Sequence, residues 1–387
     1  MRFSAKRMDV IPPSGTLGMF EKASALERSG KKIIHLDVGE PDFTTPKNIR
    51  EAATTALDEG FTHYTSSYGL LELREAIAED LRTKGVDVDP GREIIVTPGG
   101  KHAILCAILS TVNPGDEVLI LTPAWPTYFV ITRIAGAIPV GVSTSETYSL
   151  DKEALKESLS DKTKLIVINS PNNPSGGILT EEEMSVVADL ANEKDLLVLS
   201  DEMYDRFVYD DMKQISMGSF SNLMSRTILI NGFSKTYAMT GWRLGYAAAP
   251  REVIDNMLRI QQNSTTCPTS FAQKAAVASF RDPQDSLRRM IDEYDRRRRA
   301  AVRALNNIEG ISCPMPKGAF YVFPDFSSFG LDSKTLTMRF LEEAGVSTIP
   351  GSVFAWEGNI RISYSTSLKN IVEGIKRIEE LLEKISP

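Results

Sequence analysis

Cysteine and histidine are scarce in this 387-residue chain, with three of each. Cys106, Cys267 and Cys313 stand far apart and form no Cys-x-x-Cys pair, so neither a disulfide framework nor a zinc knuckle is supported. His35, His63 and His102 have no metal-ligand spacing and read as structural, which leaves a metal centre without a basis. A basic excess is also missing. The formal net charge of -7 argues against a general nucleic-acid binder. No apolar run approaches the length of a membrane span, and Met1-Arg-Phe-Ser-Ala-Lys-Arg-Met8 lacks the apolar core of a signal peptide. Together these absences predict a protein of the reducing cytoplasm, without membrane or nucleic-acid partners. The common fingerprints are absent as well: no G-x-G-x-x-G, Walker A, G-x-S-x-G or H-E-x-x-H. Dinucleotide, P-loop, serine-hydrolase and zincin readings lose their main support.

What the chain does contain is a succession of short, continuous apolar runs: Glu93–Val96, Glu117–Leu121, Leu165–Ile168, Leu196–Leu199 and Thr227–Ile230. Runs without polar alternation are strands covered on both faces. Helical stretches separate them, which predicts an α/β fold with a mostly parallel sheet sandwiched by helices. Leu70, Leu73, Ile77 and Leu81 keep the spacing of an amphipathic helix, and Thr180 with Glu183 forms a capping box. The segment Lys101–Thr111 is apolar nearly all round and is expected to be fully buried. Beyond about residue 280 a charge-dense helix carries Arg288, Arg289 and Arg296 to Arg299 among Asp292, Glu293 and Asp295. Its mixed signs predict a solvated face. Short strands at Ile33–Asp37, Ala319–Phe323 and Asn359–Ser363 and a C-terminal helix suggest a smaller α+β domain. The expected division is a large domain over 46–285, a small domain over 13–45 and 286–387, and an arm over 1–12.

The chemistry gathers at strand ends. The strand at Thr227 runs into Ser234-Lys235 and then Gly241-Trp-Arg243-Leu-Gly245. Four other strands finish in Thr97-Pro-Gly-Gly-Lys101, Thr122-Pro-Ala-Trp-Pro126, Asn169-Ser-Pro-Asn-Asn-Pro174 and Ser200-Asp-Glu-Met-Tyr204. In an open α/β sheet such tips converge on one crevice. A lysine there can form a Schiff base while an arginine and a serine hold a phosphate. Gly99-Gly100 before a helix offers an anion cup. Taken singly, each signal has a plainer explanation: a solvated lysine, a helix N-cap at Asp201, a core tryptophan at Trp125, a tight turn at the glycines.

In combination these motifs resemble the pyridoxal 5′-phosphate (PLP) aminotransferases of fold type I, class I. They are most similar to the prokaryotic aspartate, aromatic and prephenate subgroup. The likeness runs from about Pro13 to Ser365 and rests on Ser234-Lys235, Gly241-x-Arg243-x-Gly245, Asn173-Pro174 and Asp201-x-x-Tyr204. The resemblance implies Lys235 as the Schiff-base lysine and proton shuttle, Asp201 facing the pyridine nitrogen, and Tyr204 with Asn173 donating to the phenolic oxygen. It implies Trp125 stacked on the ring, and Gly100, Lys101, Ser234 and Arg243 around the phosphate. Tyr64 would reach the phosphate from the other subunit of a homodimer. Arg361, Gly39, Trp125 and Asn173 would meet the substrate, with Arg361 gripping its α-carboxylate. The Asn173–Pro174 bond is often cis in that family. Many relatives carry a phosphate-binding serine where this chain has Gly232, and no second arginine for an acidic substrate side chain stands out. The implied activity moves an amino group from an L-amino acid, aspartate or aromatic, to a 2-oxo acid such as 2-oxoglutarate. A PLP lyase of the same fold acting at Cβ or Cγ is an alternative. A PLP-binding regulator is a remoter one, since such regulators usually add a DNA-binding domain and only about a dozen residues precede the fold here.

Overall fold

The computed structural model describes residues 3–221, 223–281 and 284–385; Met1 and Arg2 of the expected arm lie outside these. A seven-stranded sheet runs in the order Ile94–Thr97, Gly245–Ala248, Thr227–Gly232, Leu197–Asp201, Thr163–Asn169, Glu117–Thr122, Ile138–Ser143. Only Gly245–Ala248 runs against its neighbours; the other pairings are parallel. All five expected apolar runs are strands of this sheet. Valine, isoleucine and leucine side chains on its two faces pack into separate buried clusters under the flanking helices, as a doubly covered sheet requires. The capping box at Thr180 and Glu183 is formed, and the expected amphipathic helix spans Leu71–Thr83.

Two strands of this sheet escaped the sequence reading. Ile138–Ser143 contains Pro139 and Gly141 and lies at the sheet edge, where a missing N–H is tolerated. Gly245–Ala248 is a short strand of small residues around Tyr246, and its glycine is forced by contact: a Cβ on Gly245 would collide with the Gly100 nitrogen.

The second group of strands sits beside the crevice. Tyr321–Val322, Ile360–Ser363 and Ile349–Pro350 form an antiparallel sheet, while Ile34–His35 pairs in parallel with Val346–Ser347. The strands expected over Ile33–Asp37 and Ala319–Phe323 are thus only two residues long each. The helix Gly15–Arg28 packs through Met19 and Ala23 against Phe323, Ile349 and Phe354 of this part. Among the described residues no helix is long and apolar enough to cross a membrane.

Two burial expectations need correction. The helix Gly100–Thr111 is not fully covered, because Leu109 is 37 % exposed and Lys101 is exposed. Its inner faces meet the sheet and the helix Arg251–Gln262, and the remaining side is open within this chain. The charge-dense helix, Asp285–Asn306, is solvated on one side only. Arg296 and Arg299 are exposed, but Arg297 and Arg298 flank the apolar stripe of Tyr294, Ala301 and Val302 and are buried with partners. Arg297 pairs with Asp42 (2.8 Å) and Glu293 (2.8 Å). Arg298 reaches both oxygens of Asp210 (2.9 and 2.8 Å) and lies 4.4 Å above the Tyr209 ring. The fork geometry of arginine makes such burial possible: in Arg298, Nε, Nη1 and Nη2 all find acceptors.

Removing Arg298 leaves Asp210 and Asp295 without their buried cation. Arg298→Ala is expected to cost about 3–5 kcal/mol in urea unfolding, and Arg299→Ala less than about 1 kcal/mol. Equal losses would contradict the buried-anchor reading.

Candidate active site

The parallel strands all end on one edge of the large sheet, and their tips wall a cavity of about 480 Å³. That is ample for a cofactor with a small substrate. Lys235, just past the Thr227–Gly232 strand, extends its Nζ into this cavity and donates to the Gly39 carbonyl at 2.6 Å. Burial lowers its amine pKa to about 8; Arg361, Arg243 and Lys101 act in the same direction, and Glu40 opposes them. An amine held there is partly neutral near physiological pH, as a nucleophile or base must be.

Asp201 ends the Leu197–Asp201 strand and lines the cavity. Its carboxylate accepts from the Tyr128 hydroxyl at 2.7 Å and from the Met203 amide at 3.1 Å. Burial pushes its pKa up to about 6, against the pull of those two hydrogen bonds and of Lys235. No helix begins here, so the N-cap explanation falls away. Asn169 ties the neighbouring tips together: its amide donates to the Asp201 carbonyl (2.9 Å) and its oxygen accepts from the Asn173 amide (2.9 Å). Trp125 stands edge-on to Tyr128, with the ring centroids 5.7 Å apart.

The opposite wall comes from the smaller sheet. Arg361 is only 3 % exposed. It donates to the Asn173 side-chain oxygen (3.0 Å) and the Asp37 carbonyl (2.6 Å), between the Tyr321 and Phe354 rings. Its Nε is buried without a hydrogen-bond partner. Arg361 also lines the cavity, and a guanidinium there suits an incoming carboxylate. The need for glycine at position 39 is steric, since a Cβ there would lie 2.8 Å from the Tyr321 hydroxyl.

At the cavity floor, Gly99 takes φ +87° and the helix Gly100–Thr111 starts, so the first-turn N–H groups of Gly100 and Lys101 face outward. Arg243 closes against this turn: a Cβ on Gly99 would come within 2.6 Å of its Nη2. Ser234 lines the cavity. Gly232 has no space for the serine seen in relatives, because its Cβ would lie 2.8 Å from the Gly245 Cα.

The strand tips therefore bring together Gly39, Gly100, Lys101, Trp125, Asn173, Asp201, Tyr204, Ser234, Lys235, Arg243 and Arg361. Tyr64 is the exception: it is 86 % exposed and does not line the cavity of its own chain. Among the described residues the cis bonds are Thr122–Pro123 and Ser170–Pro171, not Asn173–Pro174. Sequence reasoning missed Tyr128, Asn169 and Tyr321. Tyr128 lies one helical turn after Trp125, and Tyr321 is a hydroxyl inside an apolar strand run. Those were the only signals either gave.

This fold and crevice define a PLP fold type I architecture, and the comparisons agree. Residues 31–378 match the family model for aminotransferase class I and II, so the chain belongs to that family. The chain is an aminotransferase, and nothing in the comparisons favours a lyase. It is 43 % identical over 385 residues to aspartate aminotransferase of Pyrococcus abyssi, covering 98 % of each chain. It is 42 % identical over 385 residues to aromatic-amino-acid aminotransferase 2 of Thermococcus litoralis, again covering 98 % of each. The solved aspartate aminotransferase of Thermus thermophilus with maleate superposes with a TM-score of 0.95 at 38 % identity, covering 98 % of this chain and 100 % of that one.

The lowered pKa of Lys235 has a direct consequence. Labelling of apoprotein with a small amine-reactive reagent, followed by peptide mass spectrometry, should show the Lys235 rate rising with pH and levelling off above about 8. A rate still climbing towards the ordinary lysine pKa of about 10.4 would contradict it.

Proposed function

We propose that this aminotransferase binds PLP through Lys235 and works in the cytoplasm as a homodimer with shared sites. Its reaction moves the amino group of an L-amino acid, aspartate or aromatic, to a 2-oxo acid such as 2-oxoglutarate in two half-reactions. The observation that carries this reading is the buried Lys235 amine, set in one cavity with Asp201, Asn173 and Arg361.

The residues fit the cofactor in three respects. The first turn at Gly100 and Lys101 with Ser234 and Arg243 is a cradle for a phosphate, kept open by the absence of a Cβ at Gly99 and Gly245. Asp201 is an anion waiting for a cationic nitrogen. Arg361 in the cavity wall is a cation for a carboxylate. Bound here, PLP supplies an aldehyde that captures amines and a protonated ring that absorbs the electrons of a breaking Cα–H bond.

The protein's own tasks follow from position. Lys235, its amine pKa lowered by burial to about 8, would take the substrate Cα proton and return it across the intervening nitrogen to the cofactor's aldehyde-derived carbon. Asp201 keeps a ring nitrogen protonated, and Tyr128 keeps Asp201 charged and aimed. Tyr204 and Asn173 donate to the phenolic oxygen, while Trp125 covers a ring face and excludes water. Arg361 and Gly39 orient the substrate carboxylate. Tyr64, exposed and away from its own cavity, fits a contribution to the phosphate across the dimer. On this reading 46–285 holds the cofactor and 13–45 with 286–387 brings Arg361 to the substrate.

Lys101 supplies the cation for an acidic side chain that no second arginine provides. Its ammonium lies 5.0 Å from the Trp125 ring centroid in the cavity wall and makes no ion pair among the described residues. The maleate in the Thermus thermophilus relative is a dicarboxylate of this kind.

With a donor amino acid and no acceptor, PLP-loaded enzyme should release one 2-oxo acid per site, and Lys235→Ala should lower that rate by at least about a thousandfold. Ammonia or thiol released with pyruvate, or near-normal turnover in the lysine variant, would contradict the proposal.

A further inference from the structure

Tyr321 stands where the two walls of the cavity meet. Its hydroxyl lies 2.8 Å from the Tyr204 hydroxyl, and both side chains are buried. Two phenols sharing one hydrogen bond have two protons between them. One proton occupies the shared bond, and the donor to that bond decides where the other proton points.

The surroundings choose the donor. Among the described residues, the hydrogen bond to Tyr204 is the only one the Tyr321 hydroxyl makes. If Tyr204 donated to Tyr321, its proton would be spent between the two phenols and could not reach the cofactor's phenolic oxygen. With Tyr321 as donor, the Tyr204 proton is left free to face the cavity that both residues line. The sheet register adds a second reason. Ser363 sits opposite Tyr321, so Arg361, two residues earlier on the same strand face, is its diagonal neighbour. The guanidinium accordingly lies 4.5 Å from the Tyr321 ring centroid. A cation against the ring face draws electrons from the phenol and strengthens it as a donor. Burial pushes the Tyr204 pKa upwards, so Tyr204 keeps its proton.

We propose that Tyr321 is a positioning residue for the transamination chemistry: by donating to Tyr204 it fixes the Tyr204 proton toward the cavity and strengthens that donation to the cofactor's phenolic oxygen. This rests on the reading that PLP binds at Lys235. Hydrogen bonds in a chain reinforce one another by roughly 10–30 % per bond.

The test is a pH titration of the visible absorbance of PLP-loaded enzyme. Donation to the phenolic oxygen lowers the pKa of the lysine-bound chromophore. Tyr321→Phe should therefore raise that pKa by about 0.3–0.5 unit, and the shift should vanish in a Tyr204→Phe background. Incorporating 3-fluorotyrosine at position 321, which keeps the ring's shape and makes a more acidic phenol, should move the pKa down. An unchanged pKa in Tyr321→Phe, a shift that persists without the Tyr204 hydroxyl, or an upward move with fluorotyrosine would overturn the proposal. A wild-type protein with no visible band would overturn the cofactor reading itself, and this proposal with it.

Discussion

The site depends on keeping one amine out of water among other cations. Lys235 shares its cavity with Arg361, Arg243 and Lys101, and a protonated ammonium there is disfavoured both by burial and by their charge. Each neighbouring cation has a place of its own: Arg361 between Tyr321 and Phe354, Arg243 against the Gly99 turn, Lys101 beside Trp125. The arrangement costs stability in the free protein and is relieved when anions arrive. A phosphate, a substrate carboxylate and an acidic side chain would each meet one of these cations, which makes the cavity selective for anionic ligands before any shape is considered.

The fold supplies this arrangement because two sheets with different tasks meet at one edge. The parallel strands bring Asp201, Asn173 and Lys235 to neighbouring tips through a register that a one-residue slip would ruin. The smaller sheet carries Arg361 and Tyr321 on one face. Contacts between the two, from Arg361 to Asn173 and from Tyr321 to Tyr204, are hydrogen bonds between named side chains, so the relative position of the walls is written into the chemistry they perform. The buried Arg297 anchors the loop that follows Gly39, and Arg298 anchors the segment beyond Tyr204.

Much of this was legible in the sequence, for reasons that vary by residue. The five apolar runs announced doubly covered strands, and strand ends in such a sheet must converge. Lys235, Asp201 and Arg243 were therefore readable as neighbours without coordinates. Tyr128 was not, because a tyrosine in an apolar helix carries no mark of the carboxylate it will meet. Arg297 and Arg298 were misread because local charge pattern cannot reveal acceptors as distant in the chain as Asp42 and Asp210. The edge strand at Ile138 was hidden by its proline. Gly232, a departure from relatives by sequence, is explained by the Gly245 backbone packed against it.

The central claim is that Lys235, and no other lysine, holds the cofactor covalently. Reduction of PLP-loaded enzyme with borohydride, proteolysis and mass spectrometry tests it most directly. The account predicts a single peptide carrying the reduced cofactor, with the added mass on Lys235. An unmodified Lys235, or the mass on Lys101 instead, would contradict it.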